Sequence, residues 1–231
     1  MQNALFIAQN TLIILNPSEI SLPNQEGSTM PTLLRIDASS RLEGSHSREM
    51  GDHFVTQWRQ SHPNSKVTLR DLINSPVPHI SDNTINGFFS PEPLDATLQQ
   101  ATALSDELIH ELKEADTILI TTPMYNFSIP SSLKAWIDQV SRVNHTFSFS
   151  ETGFAGLINR KDVYVITSSG AVFSQGDFKA MDFMTTYLDA MLSFLGLVNP
   201  TFLAIEGSSD FEEALAQSKQ SCINAINNYW S

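Results

Sequence analysis

The chain has 231 residues, of which 41% are hydrophobic and 16% are charged, a balance typical of one large globular domain. The formal net charge of −12 argues against electrostatic binding to nucleic acid or to an anionic membrane, although the backbone N–H groups of an acidic protein can still bind a phosphate. Cys222 is the single cysteine, so no intramolecular disulfide is possible, and we predict a cytoplasmic protein without a metal site.

The N-terminal segment differs from the rest of the chain. Its apolar run, ALFIAQNTLIIL, is short for a membrane span and lacks the basic flank of a signal peptide. A polar stretch rich in helix breakers follows, and Met30 stands directly before the first convincing strand. We predict that residues 1–30 are an extension outside the core fold or the product of an upstream start codon, and that residues 31–231 form one domain. An added strand and a partner-binding arm are alternatives that the sequence leaves open.

From Pro31 onward, short apolar runs alternate with amphipathic runs of helical spacing. In chain order the pattern predicts strand TLLRIDA, helix SHSREMGDHFVTQWRQ, strand KVTLRDL, helix LDATLQQATALSDELIHELKEA, strand DTILITT, helix SSLKAWIDQVSRV, strand DVYVITSS, helix FKAMDFMTTYLDAMLSFLG, strand TFLAIEG and helix SDFEEALAQSKQSCINAINNYW. The stretch NSPVPHISDNTINGFFSPEP is rich in breakers, and we predict a long loop there, either functional or a tolerated insertion.

Five strands that alternate with five helices predict an α/β fold with a parallel sheet covered on both faces. Right-handed crossovers reduce the possible topologies to a doubly wound sheet, and five strands favour the flavodoxin-like order 2-1-3-4-5. In such a sheet, ligands bind beyond the carboxyl ends of the strands, where the strand order reverses. The loops after strands one, three and four are therefore the candidate site.

The first of these loops, ASSRLEGSHSR, leads from a strand into a helix N-terminus, which favours anions. It matches neither G-x-G-x-x-G nor a Walker A loop, so a dinucleotide cradle and an NTPase are both poorly supported. The loop carries four hydroxyl groups, those of Ser39, Ser40, Ser45 and Ser47. These hydroxyl groups predict a site for a phosphate monoester, to which Arg41 or Arg48 could add positive charge. The alternative is that Ser45 or Ser47 merely caps the helix.

The other two loops suit a planar ring attached to that phosphate. In TTPMYNFSIPSS, two aromatic side chains and Met124 can make apolar contact with a heterocycle, while Asn126 and the loop backbone can bind its polar edge. In TSSGAVF, small polar residues and Gly170 let the backbone approach a ligand closely. The alternatives are an aromatic turn that packs on the core and an ordinary strand-to-helix connection.

Together these loops resemble the FMN-dependent NADH-azoreductases, also called FMN-dependent NADH:quinone oxidoreductases. The resemblance extends from about Met30 to the C-terminus, and PMYNFSIPSSLKAWIDQVSR is its most specific part, with TFSFSETGFAGL, VYVITSSGAVF and FLGLVNPTFLAIEG as further matches. It implies a flavodoxin-like homodimer with one FMN per subunit, bound near the dimer interface.

The resemblance also implies a role for each matching residue. The FMN phosphate and ribityl chain would be held by Ser39, Ser45, His46 and Ser47, and the isoalloxazine would be lined by Met124, Tyr125, Asn126 and Phe127. The pyrimidine side of the ring would be met by Ser168, Ser169, Gly170 and Ala171. The substrate pocket would be reached by Phe147 and Phe149. The family usually has Ser-Arg-Gly-Gly where this chain has Ser-Ser-Gly-Ala, which removes a positive charge. Phe149 stands where tyrosine is common, so a hydroxyl group is absent.

The implied reaction is ping-pong: NADH gives a hydride to FMN N5, and a quinone or azo compound then takes two electrons. The flavin carries this chemistry, so we predict no catalytic side chain, and the sequence has neither G-x-S-x-G nor an evident acid–base triad. One alternative is a non-catalytic flavodoxin that carries electrons between partners, for which acidic charge would suit docking onto basic reductases. Another is a domain that has lost its ligand and acts in assembly.

Overall fold

The computed structural model describes residues 30–91, 93–151 and 153–230, so the predicted extension lies outside the described residues apart from Met30. The described strands are β1 (Thr32–Asp37), β2 (Lys66–Asp71), β3 (Thr117–Pro123), β4 (Phe147–Ser150), β5 (Gly153–Gly156), β6 (Asp162–Ser168) and β7 (Thr201–Ile205). The described helices are α1 (His46–Ser61), α2 (Asp82–Phe89), α3 (Ala96–Glu114), α4 (Ser131–Val140), α5 (Phe183–Leu195) and α6 (Glu212–Asn228), with a 3₁₀ turn at Asp177–Met181.

Five of these strands form one parallel sheet in the order β2-β1-β3-β6-β7. This arrangement confirms the predicted five-stranded, doubly wound, flavodoxin-like sheet. The predicted numbering 2-1-3-4-5 is wrong, because the chain forms two further strands after β3 and before β6, and these strands, β4 and β5, pair as a separate antiparallel hairpin. Each hairpin strand has only four residues and pairs with nothing in the main sheet, so the period-two pattern is too short to read from the sequence.

The core lies on both faces of the sheet, as alternation along each strand requires. All seven residues of β3 are buried, as the sequence predicts for a central strand. Leu33 and Leu119 pack on the face covered by α1 and α6. Leu34 and Ile120 pack on the opposite face, which α3, α4 and α5 cover. The sheet is therefore covered on both faces, and its carboxyl edge carries the loops of interest.

The stretch predicted as one long loop contains a helix. Residues Asp82–Phe89 form α2, whose N-cap Ser81 accepts a hydrogen bond from the backbone N–H of Thr84 at 3.1 Å. Prolines flank this segment on both sides, and because proline disfavours helix the sequence pattern indicates a loop. The eight residues between the prolines nevertheless form a helix that packs on α3. Among the described helices, none is both long enough and apolar enough to cross a membrane.

Candidate functional site

A cavity of about 310 Å³ lies at the carboxyl edge of the sheet, where the loops after four strands converge. Its lining is small and mostly polar: Ser39, Arg41, Gly44, Ser45, His46, Pro123, Met124, Tyr125, Ser168, Ser169, Gly170, Ser208 and Ser209. The loops after β1, β3 and β6 were predicted from the sequence, and the loop after β7 was not. The order of the strands brings these loops together, because β1 and β3 are neighbours and β6 and β7 follow.

The loop after β1 ends in the first turn of α1. Ser45 is the N-cap of that helix, and its hydroxyl accepts from the backbone N–H of Arg48 at 3.5 Å, so the capping alternative holds for this residue. Ser45 also lines the cavity, which means that capping and ligand contact are compatible. Ser47 is fully buried behind it, with its hydroxyl 3.4 Å from that of Ser45.

His46 places a polar ring at the same end of the cavity. Burial lowers the pKa of His46 and the nearby Lys219 ammonium lowers it further, while Glu49 opposes both effects. A neutral imidazole offers one donor and one acceptor nitrogen. Within the described part of the chain, its buried Nδ1 has no hydrogen-bond partner, and the Glu49 Oε2 lies 3.8 Å away. A buried nitrogen without a partner is costly unless a ligand binds it.

The loop after β3 is a tight two-residue turn. Tyr125 and Ser128 exchange two backbone hydrogen bonds, of 2.9 and 3.1 Å. The residues between them both have left-handed backbone conformations, with φ of 49° at Asn126 and 68° at Phe127. A positive φ is costly for an aromatic residue and is found mainly where the surrounding structure enforces it for function. This turn holds Tyr125 over the cavity, where its hydroxyl accepts from the Ser40 backbone N–H at 3.3 Å.

The loops after β6 and β7 are hydrogen-bonded to each other. The Ser169 carbonyl accepts from the backbone N–H of Ser208 at 3.1 Å, and the Gly170 carbonyl accepts from that of Ser209 at 2.9 Å. A Cβ atom at Gly170 would lie 2.8 Å from the Ser209 Oγ, so the Ser209 side chain would have to shift to admit a larger residue there. The two loops therefore form one wall of the cavity.

The comparison with known proteins decides the family. Residues 31–226 match the family described as having a flavodoxin-like fold. An FMN-dependent NADH:quinone oxidoreductase of Hydrogenovibrio crunogenus is 41% identical over 202 residues, which cover 85% of this chain and 100% of the relative. Another, from Xanthobacter autotrophicus, is 46% identical over 170 residues, covering 72% and 82%. The chain belongs to the flavodoxin-like family of FMN-dependent NADH:quinone oxidoreductases.

Solved structures of this family's azoreductases share the fold. An azoreductase from Bacillus anthracis strain Sterne is 27% identical, with a TM-score of 0.79 over 87% of this chain and 100% of that one. An FMN-dependent NADH-azoreductase from Bacillus anthracis, solved in complex with FMN, is 25% identical, with a TM-score of 0.78 over 87% and 100%. The resemblance predicted from the sequence is therefore confirmed at the level of family and fold.

Most of the residues that the family resemblance predicts to bind the cofactor line one cavity: Ser39, Ser45, His46, Met124, Tyr125, Ser168, Ser169 and Gly170. Asn126 lines a second cavity of about 500 Å³ that shares Tyr125 with the first. Phe127 packs edge-on against Phe173, with ring centroids 6.2 Å apart. Phe147 and Phe149 lie on the β4–β5 hairpin, packed with Phe154.

Ser169 and Ala171, on either side of Gly170, stand where the family resemblance implies arginine and glycine, and the structure accommodates both. The Ser169 hydroxyl donates to the Ala171 carbonyl at 2.8 Å, which satisfies the hydroxyl inside its own loop. Ala171 does not adopt a positive φ, so its methyl group adds no backbone strain. The replacement therefore costs the loop a positive charge but not its conformation.

Two features of the site correct or extend the sequence prediction. Arg48, predicted as a candidate charge for a phosphate, instead binds Asp37 and Asp71, and Arg41 is the arginine that lines the cavity. Ser208 and Ser209 also line the cavity and were missed. Their signal was the polar stretch EGSSD directly after the last strand, which has the same strand-to-helix placement as the other three loops.

Proposed function

We propose that this chain is an FMN-dependent NADH:quinone oxidoreductase that also reduces azo compounds, with FMN bound in the cavity at the carboxyl edge of the sheet. The observation that carries the proposal is the coincidence of two facts. The cavity is built by the loops where the strand order reverses, and a relative named as an FMN-dependent NADH:quinone oxidoreductase matches the chain at 41% identity over its full length.

The residues present fit FMN. Among the described residues, His46 Nδ1 is a buried polar atom without a hydrogen-bond partner, at the N-terminal turn of α1, where a phosphate is favoured. Gly44 has a φ of +65°, and no described atom lies within 4 Å of the position where its Cβ would be, which leaves open space beside that turn. The hydroxyl groups of Ser39 and Ser45 add hydrogen-bonding capacity at the same end of the cavity.

Each part of the cavity has a proposed role. The loop after β1, with Ser39, Ser45 and His46, would hold the phosphate and ribityl chain. Met124 and Tyr125 would contact the ring, and the Asn126 amide would bind its polar edge. The wall made by Ser168–Ala171 would supply small groups and backbone to the pyrimidine side. Ser47 is buried behind Ser45 and would contribute through its backbone N–H.

When bound, FMN supplies a two-electron centre that accepts a hydride from NADH and delivers electrons to a quinone or an azo bond. The protein's contribution is binding, orientation and exclusion of water, for which a cavity walled by four loops is suited. No acid–base side chain has to be assigned for this chemistry. Family membership favours this enzyme over the electron carrier considered from the sequence, because the relatives are named as quinone oxidoreductases and an azoreductase.

We extend the proposal to a cytoplasmic homodimer in which the β4–β5 hairpin contacts the second copy. Phe149 and Phe154 support this extension, since they are 67% and 64% exposed and their tilted rings pack together with centroids 4.9 Å apart. Exposed aromatic pairs of this kind are typical of interaction surfaces. Phe147 and Phe149 would then border the substrate site of one or the other subunit. Sedimentation equilibrium of the wild type and of Phe149→Ser tests the assembly, since a monomeric wild type would contradict it.

The proposed activity is tested with the purified full chain and FMN under anaerobic conditions. We expect an oxidised-flavin spectrum that bleaches promptly on addition of NADH and recovers on addition of a quinone or an azo dye. Bound flavin that NADH fails to bleach would favour the electron carrier. A chain that binds no flavin would overturn the proposal.

A further inference from the structure

We propose that Arg48 is a positioning residue for the phosphate end of the cavity, acting on the loop of residues 39–45 from beneath. This inference rests on the proposed function, because it concerns how the cofactor site is held in shape. It assigns Arg48 a role different from direct contact with the phosphate.

The hydrogen bonds of the Arg48 guanidinium carry the inference. Nε and Nη2 donate to the Ser39 carbonyl oxygen at 3.3 and 2.8 Å. Nη1 and Nη2 bind the two carboxylate oxygens of Asp71 at 2.7 and 3.0 Å, and Nη1 also donates to Asp37 Oδ2 at 3.2 Å. A guanidinium has five N–H donors, and these five contacts use all of them. Arg48 therefore has no N–H donor left for a phosphate, and its charge is paired with two carboxylates.

Both carboxylates lie at strand ends, Asp37 at the end of β1 and Asp71 at the end of β2, and further hydrogen bonds hold each of them. Asp37, only 2% exposed, accepts from Arg35 Nε and from Thr121 Oγ1, each at 2.8 Å. Asp71 accepts from the backbone N–H of Ile73 at 2.9 Å. Through Arg48, the Ser39 carbonyl is thus tied to the ends of β1, β2 and β3 at once.

This tie has a local consequence for the cavity. Because the Ser39 carbonyl oxygen is committed to Arg48, it cannot turn toward an anion and repel it. The loop is also ordered before the ligand arrives, which reduces the conformational entropy lost on binding. The effect should be largest at the phosphate end, since the guanidinium of Arg48 shares no hydrogen bond with the described residues of the loops after β3 and β6, which build the ring side.

The test compares the dissociation constants of FMN and riboflavin, which differ only by the phosphate, using flavin fluorescence quenching. We expect the wild type to prefer FMN. In Arg48→Gln we expect the FMN constant to rise about tenfold while the riboflavin constant changes less than about twofold. Arg70→Gln is the matched control, because the Arg70 side chain is 13% exposed against 12% for Arg48 and also binds two carboxylates, Glu107 and Glu111, away from the loop. It should leave the preference unchanged.

Arg48→Lys separates positioning from charge. Lysine keeps the positive charge but cannot donate to the Ser39 carbonyl and grip Asp71 with two parallel bonds. If Arg48 acts by positioning, Arg48→Lys should lose the FMN preference as Arg48→Gln does. The lysine variant also provides a measurement if Arg48→Gln does not fold. A preference kept in Arg48→Lys would overturn the inference in favour of direct charge. Equal weakening of FMN and riboflavin in both variants would also overturn it, showing a merely structural role. A wild type that binds neither flavin would instead overturn the proposed function.

Discussion

The hydroxyl of Tyr125 accepts a hydrogen bond from the backbone N–H of Ser40 at 3.3 Å, which joins the turn after β3 to the loop after β1. The two residues are separated by 85 positions in the chain, so the contact exists only because β1 and β3 are adjacent in the sheet. It fixes the aromatic side of the cavity relative to its phosphate side. This hydroxyl therefore helps to set the distance between the ring site and the phosphate site.

Tyr125→Phe should weaken FMN binding while leaving the fold intact. The substitution keeps the ring that contacts the cavity and removes the hydrogen bond to Ser40, so we expect the FMN dissociation constant to rise about fivefold, roughly 1 kcal/mol. Since Tyr125 is 37% exposed, the melting temperature of the apoprotein should barely change. Fluorescence titration and thermal denaturation measure the two effects. Tyr229→Phe, on the α6 side of the sheet, is the control, and an unchanged constant in Tyr125→Phe would show that the bond does not organise the site.

Glu206→Gln should loosen the loop after β6. One Glu206 oxygen accepts from the backbone N–H groups of Phe173 and Ser174 at 2.6 and 2.8 Å, and the other accepts from the Ser174 hydroxyl at 2.6 Å. Glutamine replaces one acceptor oxygen with a donor and removes the charge, which weakens bonds that are strong in the carboxylate form. We expect the amides of Phe173 and Ser174 to exchange hydrogen about tenfold faster, measured by hydrogen–deuterium exchange.

Glu213→Gln provides the control for that experiment. Glu213 lies in the first turn of α6 and binds Gln217 at 3.0 Å on the surface. Its replacement should leave exchange at Phe173 and Ser174 unchanged. If both variants exchange alike, the Glu206 carboxylate does not hold the loop.

The main sheet could be predicted from the sequence because its strands carry a strong and local signal. The run TILITTP is apolar enough to be recognised alone, and all of its residues are buried. The hairpin could not be predicted, since FSFS and GFAG are too short for a period to emerge. Helix α2 was hidden by its flanking prolines, whose breaking effect stops at the ends of the DNTINGFF segment.

The candidate site was predictable where it follows a strand end and obscure where it depends on tertiary partners. Ser39 and Tyr125 closely follow apolar runs and Ser45 ends the same loop as Ser39, so the topology rule finds them. Ser209 joins the cavity only because the loop after β7 bonds to Gly170. The Arg48 side chain points away from the cavity lining because it pairs with Asp71 at the end of another strand, and no local sequence pattern encodes that pairing.

Gly156→Ala should detach the β4–β5 hairpin from α5. A Cβ atom at Gly156 would lie 2.1 Å from the backbone nitrogen of Gly196, and backbone cannot give way as a flexible side chain can. We expect a loss of about 3 kcal/mol in the free energy of unfolding, measured by urea denaturation. Gly153→Ala is the control within the hairpin: its φ is +115° but its Cβ would meet no described atom within 4 Å, so only backbone strain of about 1 kcal/mol applies. Equal losses in the two variants would show that close packing on Gly196 is unimportant.

Asp71→Asn should change how stability depends on pH. Hydrogen bonds from Arg48 hold the pKa of Asp71 well below its ordinary value of 3.8, burial opposes this, and the backbone N–H groups of Ile73 and Asn74 add to it. Because the folded pKa is the lower one, the unfolded chain binds the proton first, and the stabilisation is complete above the ordinary pKa and lost as the pH falls below it.

The measurement for Asp71 is the free energy of urea unfolding of the wild type and Asp71→Asn from about pH 3 to about pH 8. At neutral pH we expect the free energy of unfolding to be about 2 kcal/mol higher for the wild type than for Asp71→Asn, which is the typical contribution of charge-assisted hydrogen bonds. That difference should stay constant down to about pH 5 and shrink below it, because the wild-type carboxylate then becomes protonated as the chain unfolds. Asp189→Asn, at an exposed position on α5, should change stability by less than about 0.5 kcal/mol. A difference for Asp71→Asn that persists undiminished at the acid end would mean that packing, rather than the Arg48 ion pair, accounts for it.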